Sequence, residues 1–219
     1  ILISLCQTQL SAEYLYKDEI IHNPKFTEEI ESLGTELYKK TGVSLRLLMI
    51  KELPKDTMMY DYEKKILDGF KTPTILLTFS EMDTAVDIET NDKSLYKYFN
   101  KKHVLSPVTS YVQGFVMAVT YAKSWNEFKD LLTNTGGSIL PLLGQKSKKA
   151  GTLEKYSAAM FNGYLDIAQQ ISKAKNVTLD HGFGSDANQE TFFYLKLFFY
   201  GFVLYGTIMY IRRVIYRRR

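Results

Sequence analysis

Apolar positions along the chain alternate between two periods, and the alternation lays out a series of elements. Ile30, Leu33 and Leu37 recur at helical spacing behind Pro24 and Thr27, the latter placed as an N-cap, and Gly42 marks the stop. From Val43 to Leu53 the residues are almost all Leu, Met and Ile, ending at Pro54, as expected of a strand covered on both faces. Met58 to Phe70 carries Tyr62, Ile66 and Phe70 on one side of a second helix. Thr74 to Phe79 is another apolar strand. In the next, Val86 and Ile88 alternate with Asp87 and Glu89, the pattern of a half-exposed strand. The short turn Ser80 to Asp83 between them predicts an antiparallel hairpin.

Beyond the strands the pattern turns helical. Leu95 to Lys102 is one candidate helix, and Val112, Phe115, Val116 and Val119 mark another. Ser124 with Glu127 forms a capping box that opens a third, running through Leu132 to the break at Asn134 to Gly137. Ile139 to Leu143 surrounds Pro141, and Gln145 to Gly151 is a basic loop with Lys146, Lys148 and Lys149. Tyr156, Met160, Tyr164, Ile167 and Ile171 define a long final helix. The division that follows is a leader at 1–12, a folded domain at 13–179 and a linker at 180–190, in which Asp180 to Asn188 is small and polar. A membrane span at 191–211 and a basic tail at 212–219 complete it.

The span rests on composition. Thr191 to Ile211 is interrupted by one charge, Lys196, near its start, where the ammonium can snorkel to the headgroups. Its length corresponds to roughly 31 Å of helix, the thickness of the hydrocarbon layer. Arg212, Arg213, Arg217, Arg218 and Arg219 follow with no acid among them, which places that end in the cytoplasm and the domain on the opposite side. The alternative is a buried helix of a globular core. Gly201 and Gly206 are five apart, so they do not share a helix face as a small-residue packing motif requires. Tyr200 and Tyr205, near the middle, either contact another membrane helix, where their hydroxyls are better satisfied, or face lipid. At the other end, Ile1 to Leu5 and Leu10-Ser11-Ala12 read as an incomplete secretory signal, or as an ordinary first strand.

Charge then changes its meaning. The chain carries 28 basic and 24 acidic residues, but five of the arginines and Lys196 belong to the span and its tail, leaving a slightly acidic domain with no call for nucleic acid. The single cysteine, Cys6, lies in the leader, so the domain makes no internal disulfide and depends on its core. This composition suits a bacterial periplasmic protein anchored in the inner membrane.

The order of elements resembles the TPM-domain family, periplasmic or extracellular modules often anchored by one C-terminal span. The resemblance is carried by Lys40-Thr41-Gly42-Val43, the strand Leu45 to Ile50 closing at Leu53-Pro54, and Ile75-Leu76-Leu77 with its hairpin strand. Ile139-Leu140-Pro141 and the helix from Asn162-Gly163-Tyr164 to Ile171 extend it, over roughly Tyr14 to Leu179 with a helical insertion from Val108 to Asn134. It implies an α/β fold, an α/β/α sandwich with a small mixed sheet. Relatives include acid phosphatases, divalent-cation binders and assembly or auxiliary subunits of membrane complexes. The family's glycine-containing turns are replaced here by Lys71-Thr72-Pro73 and Glu89-Thr90-Asn91-Asp92, so no active site is carried over.

The residues themselves agree. Phosphoester chemistry by a nucleophile needs a thiolate, or an Asp with a second Asp two residues on, and Asp83 and Asp87 are four apart. His22, His103 and His181 have no ligand partner at metal-binding spacing. Asp180-His181 pairs only by adjacency, and the sequon Asn176-Val177-Thr178 carries no weight in a bacterial protein. One acidic cluster remains, Glu81, Asp83, Asp87, Glu89 and Asp92 around the hairpin, either a calcium site or a solvated edge that discourages strand pairing. The expectation is a non-enzymatic single-span accessory protein that binds, stabilises or helps assemble an integral membrane complex such as a transporter, secretion system or ion-driven motor. The membrane contacts it assigns are Lys196, Tyr200, Tyr205 and the five tail arginines. The alternatives are a cation-dependent phosphatase or hydrolase and a sensor module.

Overall fold

The computed structural model describes residues 13–146, 151–180 and 186–217, and within the last range the side chains at 198–213, 215 and 216. The expected leader, Lys148 and Lys149, residues 181–185 of the linker, Arg218 and Arg219 lie outside the described residues, as does the side chain of Lys196. The chain divides into two units, Ile1–His181 and Gly182–Arg219.

In the first unit the strands β1 (Leu15–Asp18), β2 (Ser44–Ile50), β3 (Thr74–Ser80) and β4 (Ala85–Thr90) form a mixed sheet in the order β1-β2-β3-β4. The first three are parallel, and β4 returns antiparallel to β3 with Leu77 opposite Ile88. Two long helices, α1 (Pro24–Thr41) and α7 (Thr152–Ala174), cover one face. Because side chains alternate along a strand, that face takes Leu45, Leu47, Met49, Ile75, Leu77, Phe79 and Ile88, which pack with Ile30, Leu33 and Leu37 of α1 and Met160, Tyr164 and Ile167 of α7. The opposite face takes the intervening residues. There α2 (Met59–Leu67) lays Leu67 and Ile66 over Leu48, Ile50 and Leu76.

The larger core closes around one glycine. A Cβ on Gly34 would stand 2.4 Å from the Tyr14 ring and 2.5 Å from the Tyr164 hydroxyl, so only glycine lets α1 approach these two rings. Tyr164, fully buried, donates its hydroxyl to the carbonyl of Leu45 at 2.7 Å. Beside it the buried Glu31 carboxylate accepts from the backbone N–H groups of Tyr14 and Leu15, both at 2.8 Å.

Four local expectations are adjusted. The strand β1 had no periodic signal, because it is four residues long and its register shifts between Leu15 and Lys17. Helix α1 starts three residues before Thr27: Asn23 is its cap, accepting from the Lys25 N–H at 3.0 Å, and Pro24 occupies the first turn, where a missing N–H costs nothing. Leu95 to Lys102 is not one helix but a 3-10 turn (Lys93–Lys97) and the short α3 (Lys101–Val104). Asp92 and Asn100 each cap a new start, and the extended backbone at Asn100 stops the first from running into the second. Asp180, expected to open a free linker, is tied to α1: its carboxylate sits 2.7 Å from Lys40 Nζ, which also reaches Glu36 at 2.6 Å and the Thr178 carbonyl at 2.8 Å.

Helices are present where an insertion was expected. α4 (Tyr111–Tyr121) and α5 (Trp125–Thr133) form a hairpin, capped by Ser110 and Ser124. Glu127 completes the second cap one residue early, accepting from the Lys123 N–H at 2.7 Å. A Cβ on Gly114 would meet Thr135 Cγ2 at 2.3 Å and the Leu131 carbonyl at 2.9 Å, so glycine sets the close approach of α4 to α5. Gly136 and Gly137 then donate to the Val108 carbonyl, at 2.8 and 3.0 Å, and close the base of the hairpin. The short α6 (Leu140–Leu143) leads into α7.

The second unit is one helix, α8 (Asp186–Arg217), 32 residues long. Among the described residues no helix is long and apolar enough to cross a membrane. The first part of the expected span, up to Leu197, has no described side chains, and the described apolar run begins at Phe198.

Candidate functional site

The polar chemistry of the domain gathers where α2 meets β3 and β4. On that face the alternation of β3 presents Thr74, Thr78 and Ser80, all buried, and β4 presents Asp87 and Glu89 beside them. α2 contributes Glu63, whose side chain is 0% exposed and whose two carboxylate oxygens have no hydrogen-bond partner. Burial pushes its pKa up to about 8; the nearby Thr78 hydroxyl opposes this, and the charges of Asp87 and Glu89 add to it. Glu63 is therefore a carboxylic acid that keeps its proton at neutral pH.

Asp87 and Glu89 are held by a cation that the chain itself supplies. Lys101 Nζ lies 2.7 Å from each. Burial works against the ammonium, but the two carboxylates outweigh it and raise the lysine above its ordinary value. Glu89 also accepts from the Tyr96 hydroxyl at 2.9 Å, and burial, with that carboxylate as a second cause, lifts the phenol to about 12.

The other acidic residues of the expected cluster are spent elsewhere. Asp83 closes the β3–β4 turn, accepting from the Leu53 N–H at 2.9 Å and the Ser80 hydroxyl at 2.5 Å, and these two donors hold its carboxyl below the usual range. Asp92 caps the 3-10 turn through the Ser94 N–H and hydroxyl, at 2.8 and 2.7 Å, with the same consequence. Glu81 is half-buried in the turn itself. The fold thus brings Asp87 and Glu89 together and leaves Glu81, Asp83 and Asp92 in separate roles. Among the described residues no group of three His, Cys, Asp or Glu side chains is placed to hold a metal ion.

Sequence reasoning missed Glu63. Its signal was a charge one turn before Leu67 and beside Tyr62, next to the apolar side of α2. Among the histidines, His22 is exposed and His103 half-buried, and His181 lies outside the described residues.

Each unit also carries an exposed apolar surface. On the α4–α5 hairpin Tyr111, Val112, Phe115, Val116, Val119, Tyr121 and Trp125 are all exposed. Trp125 stacks on Phe128 with centroids 5.2 Å apart, and Phe115 meets the same ring edge-on at 6.5 Å. An open groove of about 350 Å³ lies at the hairpin's foot, lined by Leu105, Pro107, Val108, Met117 and Leu131 beside the Lys102–Asp130 ion pair. On α8 every described side chain from Phe198 to Arg213 is exposed, including Tyr200, Tyr205, Arg212 and Arg213. Arg217 is placed only by its backbone at the end of that helix.

No family model, no curated protein and no solved structure matches the chain.

Proposed function

We propose that the chain is a membrane-anchored accessory protein of the bacterial inner membrane. Its α/β domain lies on the periplasmic side and binds, stabilises or helps assemble a larger integral membrane complex. Thr191 to Ile211 crosses the bilayer, and the arginines from Arg212 onward stay in the cytoplasm. The observation that carries the reading is α8: one continuous helix, about 48 Å long at 1.5 Å per residue, whose uncharged run Phe198–Ile211 is exposed throughout and ends directly in Arg212 and Arg213. Such a helix in water exposes an apolar surface with nothing to offset it, and a bilayer removes that cost. Lys196, two positions before the run in the sequence, is the one charge of the proposed span. The order of elements that resembles the TPM domain supports the accessory role, since auxiliary subunits occur in that family.

Tyr200 and Tyr205 are the residues of the span assigned to the client, because a phenol within the hydrocarbon layer is better satisfied by a neighbouring protein helix. The test joins topology to capture. A reporter active only in the periplasm works when fused before Glu13 and fails when fused after Arg219, and a membrane complex co-purifies after mild detergent extraction. The reverse reporter pattern removes the reading. Phosphate-ester turnover by the purified chain, without a co-purifying complex, replaces it with the hydrolase alternative.

A further inference from the structure

We propose that the α4–α5 hairpin is a second membrane contact, with α4 lying in the plane of the bilayer at the boundary between headgroups and acyl chains. The inference rests on the anchoring just proposed, because a C-terminal span keeps the domain within reach of a lipid surface.

The hairpin has the composition and layout of an interfacial element. From Tyr111 to Ala122 the chain holds no charged residue. Val112, Phe115, Val116 and Val119 share one face of α4 at helical spacing, and the ends of that stripe stand 71% and 63% exposed at Val112 and Val119. The opposite side of α4 is where Gly114 and Ala118 are buried, so the apolar stripe points away from the fold rather than into it. At 11 residues α4 is about 16 Å long, too short to cross a bilayer and long enough to lie in its surface.

Its ends carry the side chains that prefer headgroup depth. Tyr111 begins the helix, Tyr121 ends it, and Trp125, 67% exposed, follows across the turn. Lys123, also exposed, stands between Tyr121 and Trp125 in the sequence, and Lys129 Nζ lies 5.8 Å from the Trp125 ring centre. An apolar stripe bordered by Tyr111, Tyr121 and Trp125 matches an apolar layer bordered by headgroups, and Lys123 and Lys129 are balanced by Glu127 and Asp130, so the match rests on the apolar and aromatic positions.

A protein partner fits less well. A strip about 16 Å long and 10–12 Å across falls far short of the roughly 800 Å² per side that a stable dimer or complex buries. Lipid has no such minimum, because it moulds to whatever apolar face is presented.

Trp125 is the only tryptophan in the chain and sits on the tip, so it reports the contact without a label. The full chain is reconstituted into vesicles containing anionic lipid, with and without bromine on the acyl chains. The expected result is Trp125 emission shifted to the blue, shielded from iodide and mostly lost in brominated vesicles. Val119→Asp alone, and Val112→Asp with Val116→Asp and Val119→Asp, return the emission to its water-exposed position with unchanged far-ultraviolet circular dichroism. A parallel variant, Val203→Asp with Leu204→Asp, disables α8. A chain that sediments with vesicles while Trp125 stays open to iodide overturns the hairpin contact and leaves the anchor standing. Quenched Trp125 in the α8 variant supports the hairpin as a contact that holds without the anchor. A blue shift that grows with protein concentration and needs no vesicles overturns the inference in favour of a second copy of the chain.

Discussion

The two faces of the sheet are built from alternate residues of the same strands, yet they hold different kinds of energy. Towards α1 and α7 the strands present mostly apolar side chains, and the buried Glu31 and Tyr164 there are paired: Glu31 with two backbone N–H groups, Tyr164 with the Leu45 carbonyl. Towards α2 a small apolar patch adjoins Glu63 and Thr78, whose buried oxygens have no partners, and the Lys101–Asp87–Glu89 triad. The first face is stabilised by packing. The second is marginal, because it contains a buried acid whose proton is part of its packing.

The largest expected effect is therefore a pH dependence that belongs to one face. Below about pH 4.5 Glu63 is protonated in both folded and unfolded chains. Between 4.5 and 8 the unfolded chain releases the proton and the folded one keeps it, so stability falls as pH rises, by about 1.4 kcal/mol per unit, to a ceiling of about 5 kcal/mol. Above about 8 both forms are ionised and the loss stays at its full value. Glu63→Gln, which mimics the neutral acid, flattens this slope in denaturant titrations at pH 5, 7 and 9 and is more stable than the wild type at pH 9. A wild-type slope that survives the substitution breaks the comparison.

On the packing face Phe79→Ala leaves a cavity beneath α7 and costs about 3–5 kcal/mol, equally at pH 5 and pH 9. The matching change one residue earlier in β3 sharpens the contrast. Thr78→Val replaces an unpartnered buried hydroxyl by a methyl of the same size, and the expected change is between nothing and about 1 kcal/mol of added stability. Both are read from urea midpoints.

Lys101→Met falls between these in kind and below Phe79→Ala in size. It leaves Asp87 and Glu89 facing each other at the edge of the α2 layer, and because all three groups retain some exposure the loss is about 1–2 kcal/mol at pH 7. The smallest effect expected is that of calcium. Millimolar calcium leaves the melting temperature of the wild type unchanged, since Lys101 occupies the place where Asp87 and Glu89 converge; a rise abolished by Asp83→Asn with Asp87→Asn restores the cation-site reading.

Legibility from sequence followed the same division. The apolar face announced itself: the runs read at Val43 to Leu53 and Thr74 to Phe79, formed as Ser44–Ile50 and Thr74–Ser80, were legible because strands covered on both faces keep apolar residues at successive positions, and the stripe from Tyr156 to Ile171 because burial selects one helix face. The alternation Val86, Ile88 against Asp87, Glu89 gave the hairpin strand for the same reason. The polar face was hidden. Asp83, Asp87, Glu89 and Asp92 are close in sequence and resemble one site, but backbone N–H groups and Lys101 divide them, and neither kind of partner can be seen in a local pattern. Glu63 needed a contact across the sheet to become visible. The break at Asn100 escaped because an N-cap inside an apparently continuous helical stretch looks like one more polar position.

The hydrogen bond from Tyr164 to the Leu45 carbonyl joins residues 119 positions apart. During synthesis, β2 leaves the ribosome long before α7 does, and at the usual 5–20 residues per second the interval is on the order of ten seconds. Through that time Leu45, Leu47 and Met49 have α1 on one side and no second helix to finish the cover. Parallel pairing waiting on a distant segment is slow to settle and easily captured by other unfinished chains. The order in which the helices appear thus leaves one face of the sheet waiting for its cover until nearly the whole domain has emerged.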